Sequence, residues 1–196
     1  MENVPDPADA LRQYIQRYIT LGAEEFACFY EYLEVAEFEK HAYLHRAGSI
    51  CRHRYFLLEG LVRTYYTDAK GNDRITLFGK ELWWVTEMDS FITEAPSQVH
   101  IQALEKTKAL AISKAKLEEV FEKIPSMERF FRIITEKWLI AQLRNSHFYM
   151  KASSKDRYQF LVSSIPNFVQ RVPQYMIASY LDITPEYLSE LRKAKA

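Results

Sequence analysis

The sequence predicts an α+β chain in which a β-rich N-terminal part is followed by one long helix and an all-α C-terminal part. Four of the five glycines lie between residues 48 and 79, where β-branched and aromatic residues are also dense. Residues 126–150 carry an apolar seam at helical spacing, and residues 151–196 have a helical pattern broken by prolines. We therefore predict three domains, at residues 1–125, 126–150 and 151–196.

Composition excludes several classes of protein. The 196 residues balance 26 Lys and Arg against 26 Asp and Glu, and 48% of them are hydrophobic, which is enough for a sizeable core. No apolar run approaches the roughly 18 residues of a membrane-spanning helix, and no signal peptide is apparent. Cys28 and Cys51 are too few for a disulfide framework or a thiolate-held metal. We expect a cytoplasmic protein without a metal and without a membrane partner.

Local signals place the elements of the first domain. Residues 8–34 have apolar positions at helical spacing and predict one or two helices broken near Gly22. Residues 36–112 predict short strands, among them a hairpin of residues 61–66 and 74–78 around an open turn. Residues 99–104 alternate apolar with polar as a half-buried strand does, and residues 108–112 predict the last strand. A helix over residues 114–123 follows.

The long helix is expected to begin with Ser126 as its N-cap. Its seam has alternating spacings of four and three, formed by Met127, Phe131, Ile134, Trp138, Ala141, Asn145 and Phe148. A polar residue within such a seam fixes the register of paired helices, which favours a homodimer. The alternative is a helix that packs on its own domain.

The C-terminal part predicts a helix-turn-helix. Over residues 173–193 two short helices flank a tight turn, in which Thr184 caps the second helix and Pro185 occupies its first position. Pro166 and Pro173 break the preceding helices, and Ala178 permits a close crossing. The shared core is predicted to be Ile177, Leu181, Ile183, Leu188 and Leu191. A generic helical hairpin is the alternative.

The order of these parts resembles the Crp/Fnr family of bacterial transcription regulators. The resemblance rests on residues 57–68 (LLEGLVRTYYTD), Gly71 and residues 75–78 (ITLF), on Ala-Ile-Ser at 111–113, and on Pro125 before the long helix. Trp83-Trp84 and the short C-terminal part look like a subgroup common in Bacteroidetes. The family implies a jelly-roll or β-roll cyclic-nucleotide-binding-like effector domain, a dimerising helix and a DNA-reading domain. It implies double-stranded DNA and a second copy as partners and leaves RNA polymerase open as a third.

At the effector site the chain departs from the family pattern. Thr86-Glu87-Met88 stands where cyclic-AMP-binding members have Gly-Glu-Leu, and Ser97-Gln98 stands where they have Arg-Ser. A cyclic phosphate without its arginine lacks a charge-assisted partner, so we expect no cyclic AMP binding and an unknown uncharged or apolar effector, or none. The candidate effector residues are Trp83, Trp84, Glu87, Met88, Ser97, Gln98, Trp138 and Gln142. Because neighbouring strand residues face opposite ways, at least one of the two adjacent tryptophans is expected in the core.

The second short helix departs as well. Pro185, Glu186 and Glu190 stand where family members commonly have Arg, Glu and Arg. Glu186 can accept a hydrogen bond from cytosine N4, whereas Glu190 puts a second carboxylate on the same face and repels phosphates. We expect DNA contacts from Gln174, Tyr175, Thr184, Glu186, Tyr187, Ser189, Glu190, Arg192 and Lys193, with Lys195 beyond them. A sensor or scaffold of this shape that has lost sequence-specific DNA binding stays open as the alternative.

An enzyme is not expected. His41, His45, Cys51, His53 and Glu59 crowd one region, but their spacing does not match the metal-binding motifs of cupins. The two histidines at positions 41 and 45 are expected at the surface or at a strand edge. No nucleophile elbow, phosphate-cradling glycine loop or zinc-protease motif is present.

Overall fold

The computed structural model of the chain describes residues 6–165 and 167–193. Pro166 and Lys195, both named above, lie outside the described residues. The helices are α1 (Pro7–Gln16), α2 (Ala23–Glu31), α3 (Met88–Thr93), α4 (Lys114–Lys123), α5 (Pro125–Lys151), α6 (Ser154–Ser164), α7 (Phe168–Arg171), α8 (Gln174–Leu181) and α9 (Pro185–Lys193). The strands are β1 (Glu34–Phe38), β2 (Tyr43–His45), β3 (His53–Glu59), β4 (Val62–Thr67), β5 (Asp73–Gly79), β6 (Trp84–Val85), β7 (His100–Ala103) and β8 (Thr107–Ser113). None of the described helices combines the length and the apolar character that crossing a bilayer requires.

The strands form a β-sandwich of two antiparallel sheets. The first sheet has the order β1-β8-β3-β6 and the second the order β2-β7-β4-β5. Because side chains alternate along a strand, each sheet turns one set of apolar residues inward. The core between the sheets contains Leu44, Tyr55, Leu57, Val62, Val85, Ile101, Ala103, Ala109 and Ala111. The α+β prediction is confirmed.

The predicted hairpin is β4 and β5, and a side chain closes its turn. Asp68 accepts hydrogen bonds from the backbone amides of Lys70 and Asn72, at 2.9 and 3.0 Å, and from Arg74 Nε at 2.9 Å. These contacts, with the Asn72 amide foremost, lower the pKa of Asp68 to about 2. An aspartate at this position of a turn replaces a backbone acceptor, which explains why the local sequence identified the hairpin.

A helical layer covers the outer face of the first sheet and includes the beginning of α5. Met127 and Phe131 are 0% and 4% exposed and belong to one apolar cluster with residues of α1, α2, α4 and β3. These two residues of the predicted seam therefore pack on their own domain, which corrects the expectation that they face a second chain. The N-cap of α5 is Ile124 rather than Ser126, because Pro125 fits the first helical position without needing an amide donor.

The middle of α5 leaves apolar side chains uncovered. Trp138, Leu139, Ile140 and Leu143 are 46%, 52%, 47% and 54% exposed. Further along, Phe148 is covered in part by Phe160 of α6, with 5.0 Å between the ring centroids. No other side chain in the described part of the molecule covers these four neighbouring apolar residues. An apolar patch of this kind is unusual on the surface of a monomer.

Candidate functional site

Helices α8 and α9 are joined by the turn that the sequence predicted. Asp182 ends α8 in the left-handed region, at φ 53° and ψ 47°, which aspartate enters more readily than most residues. Thr184 Oγ1 accepts a hydrogen bond from the Tyr187 amide at 3.2 Å, and α9 begins at Pro185. Leu188 is 0% exposed and attaches α9 to the core of the C-terminal helices. The predicted helix pair, with its cap and its turn, is confirmed.

The residues expected to contact DNA are all accessible. Two of the nine, Ser189 and Arg192, are half-buried, and the other seven are exposed. Tyr175 and Tyr187 are 59% and 43% exposed, although aromatic rings are usually covered. The exposed residues are Gln174, Tyr175, Thr184, Glu186, Tyr187, Glu190 and Lys193.

The C-terminal helices α6–α9 pack on the outer face of the second sheet, through an interface that the sequence did not reveal. Ser179 Oγ donates to the Asp73 carbonyl at 2.7 Å and accepts from the Ile75 amide at 3.3 Å. Arg74 Nη1 lies 3.3 Å from Asp182 Oδ1, at the turn before α9. The apolar part of this interface joins Leu61, Tyr65, Ile75, Phe78 and Leu104 to Tyr158, Leu161, Ile165, Phe168, Val172, Met176, Ile177, Ala178, Leu181 and Leu188.

An arginine clamp holds the other side of the same interface. Arg171 Nη2 lies 2.5 Å from Glu81 Oε1 and 2.5 Å from Glu105 Oε1. Burial opposes the charge of Arg171, but its hydrogen bonds with Glu105 and Glu81 outweigh burial and raise its pKa above the ordinary value. Lys80 Nζ donates to the Ser164 carbonyl at 2.6 Å. Polar contacts therefore fix α6–α9 on the sandwich at several points.

The carboxylate of Glu87, which the sequence predicted to face an effector, is already hydrogen-bonded to backbone amides. Its carboxylate accepts from the amides of Asp89 and Ser90, at 3.2 and 3.0 Å, and so caps α3. The sequence analysis did not predict this six-residue helix, since a glutamate is not a typical N-cap. Met88 follows in the first turn of α3, and Arg54 Nη2 lies 3.5 Å from its Sδ.

The remaining effector candidates are dispersed. Trp84 is half-buried between Phe56 and Phe131, with ring centroids 5.4 and 5.1 Å away, whereas Trp83 is 39% exposed. Ser97 Oγ accepts from the Val99 amide at 2.9 Å. Gln98 is exposed on the loop after α3, Trp138 is exposed on α5, and Gln142 is half-buried on α5.

A cavity of about 290 Å³ lies instead between β2 and β3. Its walls contain none of the eight candidate effector residues. They are formed by Tyr43, Leu44, His45, Arg46, Ser49, Ile50, Cys51, Arg52, His53 and Tyr55. The sequence analysis noted that His45, Cys51 and His53 crowd one region, but it predicted no cavity there because their spacing matches no known motif.

His45 is the most unusual residue of this cavity. It is 7% exposed and so is not a surface residue, but it ends β2 at the edge of the second sheet, in agreement with the strand-edge expectation. Its Nε2 has no hydrogen-bond partner among the described residues. Burial lowers the pKa of His45 and that of His53. Within residues 6–165 and 167–193, no three histidine, cysteine or acidic side chains gather as metal ligands would.

Comparison with known proteins finds a domain family that part of the chain resembles. Residues 35–124 match the family model of the cyclic nucleotide-binding domain. This range begins in β1 and ends just after α4, and it includes both sheets and α3. No curated protein sequence matches the chain.

Solved structures resemble the chain over most of its length. The c-di-GMP responsive global regulator CLP of Xanthomonas campestris is 14% identical with a TM-score of 0.69, over 88% of this chain and 91% of CLP. FixK2 of Bradyrhizobium japonicum is 17% identical with a TM-score of 0.66, over 83% of both chains. The catabolite activator protein of Thermus thermophilus is 17% identical with a TM-score of 0.55, over 90% of this chain and 84% of the activator. Residues 35–124 therefore match the cyclic nucleotide-binding domain, and the chain shares the fold of CLP, FixK2 and the catabolite activator protein.

Proposed function

We propose that the chain is a DNA-binding transcription regulator of the Crp/Fnr type, that it acts as a homodimer, and that it responds to an effector other than cyclic AMP or to none. The observation that supports this most directly is the accessibility of α9, which follows a capped turn and is anchored by the buried Leu188. A helix presented in this way fits the major groove of DNA, with its first turns towards the base edges.

The side chains of α8 and α9 divide into two roles. Arg192, Lys193 and Gln174 are suited to phosphate oxygens, which contribute affinity but carry no sequence information. Glu186 lies in the first turn of α9, where a carboxylate can accept a hydrogen bond from cytosine N4. Glu190 lies one turn further on and repels phosphates, so we expect lower specific affinity than two basic residues would give.

Electrophoretic mobility shifts with the promoter of the protein's own operon, at several salt concentrations, test this proposal. We expect a discrete complex that weakens as salt rises, because phosphate contacts release counterions. Arg192→Ala should weaken binding to all sequences alike, whereas Glu186→Ala should change the preferred base. Arg132→Ala is the matched control, because Arg132 lies on α5 and is 59% exposed. Equal losses on every sequence for both substitutions in α9 would contradict base reading by Glu186.

The homodimer is proposed to form through the uncovered middle of α5. Trp138, Leu139, Ile140 and Leu143 would bury apolar surface against a second copy. We expect the two α9 helices of such a dimer to read half-sites about one turn of DNA apart. Sedimentation velocity tests this with Leu143→Glu, which should shift the chain from dimer to monomer. Ile92→Glu is the control, since Ile92 is similarly exposed, at 56%, but lies on α3. A monomeric parent protein at working concentrations would refute the dimer.

The absence of cyclic AMP binding is a separate part of the proposal. Neither Ser97 nor Gln98 carries the positive charge that a cyclic phosphate needs, and the Glu87 carboxylate already accepts two amides. Titration calorimetry with cyclic AMP should give no heat of specific binding. Micromolar or tighter affinity would overturn this part and leave the DNA-binding part standing.

The second candidate is a sensor or scaffold of the same shape without sequence-specific DNA binding. It is favoured by the two exposed carboxylates of α9, Glu186 and Glu190, and by the balance of three bases and three acids over residues 173–196. A scaffold would form no discrete complex with DNA even at low salt. The same mobility-shift series therefore separates the two functions.

A further inference from the structure

Arg171 is the basic residue nearest in sequence to the start of α8. It ends α7, and only Val172 and Pro173 separate it from Gln174, the first residue of α8. In a helix pair that reads DNA, the first helix crosses the DNA backbone, and helix N-termini commonly donate to phosphate oxygens. Arg171 therefore lies in the part of the chain where a phosphate contact is expected.

The N-terminus of α8 is accessible to such a phosphate. Gln174 and Tyr175 are exposed. Pro173 occupies the N-cap position, and within residues 6–165 and 167–193 no side chain caps the helix. Uncapped amides and the positive end of the helix dipole both favour an anion. A DNA phosphate at this end of α8 would also attract a neighbouring guanidinium group.

The side chain of Arg171 is directed towards the β-sandwich instead. Glu81 lies in the β5–β6 loop and Glu105 in the β7–β8 loop. Nη1 and Nη2 of Arg171 donate to the two carboxylate oxygens of Glu81, at 3.4 and 2.5 Å. Nε and Nη2 donate to those of Glu105, at 3.3 and 2.5 Å. All three nitrogens of the guanidinium are therefore engaged, and its side chain is only 18% exposed.

Each glutamate receives the paired hydrogen bonds that a guanidinium group otherwise gives to a phosphate. The two side chains are 34% and 35% exposed, so their charges also repel a DNA backbone that approaches this side of α8. We propose that Arg171 is a phosphate-binding residue of the DNA-reading helices and that Glu81 and Glu105 occupy it in an autoinhibitory contact. This inference adds a regulatory contact to the proposed function and rests on it.

The small positive charge of the C-terminal part makes the contact consequential. Residues 151–196 contain seven basic and four acidic residues, a net charge of +3. Arg157 is also occupied, because it donates to the carbonyls of Ala152 and Tyr149. A DNA duplex must replace both carboxylates before it gains the contact with Arg171. The apparent DNA affinity therefore falls with the fraction of molecules in which the arginine clamp is closed.

Mobility shifts with the full-length chain test this contact. The double variant Glu81→Gln and Glu105→Gln keeps the size of both side chains and removes their charges. We expect this variant to bind roughly fivefold tighter or more, to the promoter duplex and to a duplex of scrambled sequence alike, because phosphate contacts carry no sequence information. The gain should shrink as salt rises, since salt screens the two glutamates in the parent.

The matched control is the double variant Glu34→Gln and Glu37→Gln. It changes the net charge equally and also removes two carboxylates that pair with lysines, Lys116 and Lys108, but both lie on β1 of the first sheet. Its DNA affinity should stay within about twofold of the parent, because these exposed charges lie outside the interface with α6–α9. An equal gain in this control would attribute the effect to net charge and overturn the inference.

A third substitution separates the charge of Arg171 from the release of the helices. Arg171→Gln in the Glu81→Gln and Glu105→Gln background leaves the clamp open but removes the guanidinium group. We expect the gain in DNA affinity to disappear, whereas hydrogen exchange over residues 168–181 stays roughly threefold or more above the parent, as in the double variant. A gain that persists in the triple variant would overturn the phosphate-binding role of Arg171.

The outcomes distinguish this inference from the proposed function. A parent protein that binds DNA and a double variant that binds no tighter would overturn the inference alone. The same holds if hydrogen exchange over residues 168–181 is unchanged in the double variant, because the clamp then does not restrain these helices. Absence of a DNA complex for the parent and for the double variant, even at low salt, would overturn both.

Discussion

Removal of Arg171 tests how firmly the C-terminal helices are held on the β-sandwich. In Arg171→Gln, the contacts of Nη2 with Glu81 Oε1 and Glu105 Oε1, each 2.5 Å long, are lost. The Arg171 side chain is 18% exposed, and those of Glu81 and Glu105 are 34% and 35% exposed. Water therefore screens these ion pairs only in part.

The expected loss follows from this partial burial. Hydrogen bonds to charged groups contribute about 1.5–3 kcal/mol each when they are shielded, whereas exposed ion pairs contribute less than about 1 kcal/mol. Two half-shielded contacts therefore contribute roughly 2 kcal/mol together. A loss of this size raises the population of the undocked state roughly 30-fold. The two carboxylates left without a cation also repel each other, so the loss is not expected to be smaller.

Hydrogen exchange followed by mass spectrometry, on peptides that cover residues 168–181, measures this opening. Arg132→Gln is the control, because Arg132 pairs with Glu136 on the surface of α5, where the two side chains are 59% and 56% exposed. That substitution should change exchange in these peptides very little, since such a pair contributes less than about 0.5 kcal/mol. If Arg171→Gln accelerates exchange by less than threefold, or no more than the control does, the clamp does not hold these helices.

Two further predictions concern stability. Gly60→Ala should destabilise the fold by about 3 kcal/mol, because φ is +99° and the added methyl would collide with Thr107 Oγ1 and lie 2.8 Å from the Lys106 carbonyl. Gly71→Ala, at φ +84° with open space around the methyl, should cost only about 1 kcal/mol, and equal urea midpoints for the two variants would contradict this reasoning. Burial lowers the pKa of His45, His53 and His100. The folded chain therefore binds fewer protons than the unfolded chain at pH values below the ordinary histidine pKa of about 6.5. The contribution of these histidines to the free energy of unfolding should be fully present above that pH and should fall as the pH drops through their folded-state pKa values. A urea midpoint that stays constant from pH 7.5 to 5.5 would refute this prediction.

Local chemistry explains which elements could be predicted. The β4–β5 hairpin follows from Asp68 and Gly71 in its turn, and the start of α9 follows from Thr184 and Pro185. Each of these signals acts over two to four residues, where an aspartate, a glycine or a proline restricts the backbone directly. Helix α3 escaped prediction because it is six residues long and begins at a glutamate cap.

The sequence could not separate the two ends of the apolar seam. Met127 and Trp138 follow the same spacing, yet Met127 is buried by its own domain and Trp138 is 46% exposed. Periodicity identifies which residues share a helix face but not what covers that face. The answer depends on the length of the β-sandwich that α5 passes, which only the packed structure defines.

The sequence by itself determined that this chain has a β-rich domain, a long helix and a capped pair of short helices, because spacing, caps and turn residues act on the backbone nearby. Only the tertiary structure decided that Ser179 bonds to β5 more than 100 positions earlier, that Arg171 binds two distant carboxylates, and that the loop before β3 lines a cavity of about 290 Å³. Such contacts join residues that are far apart in the chain, and they exist only once burial of apolar surface has brought the sheets and helices together.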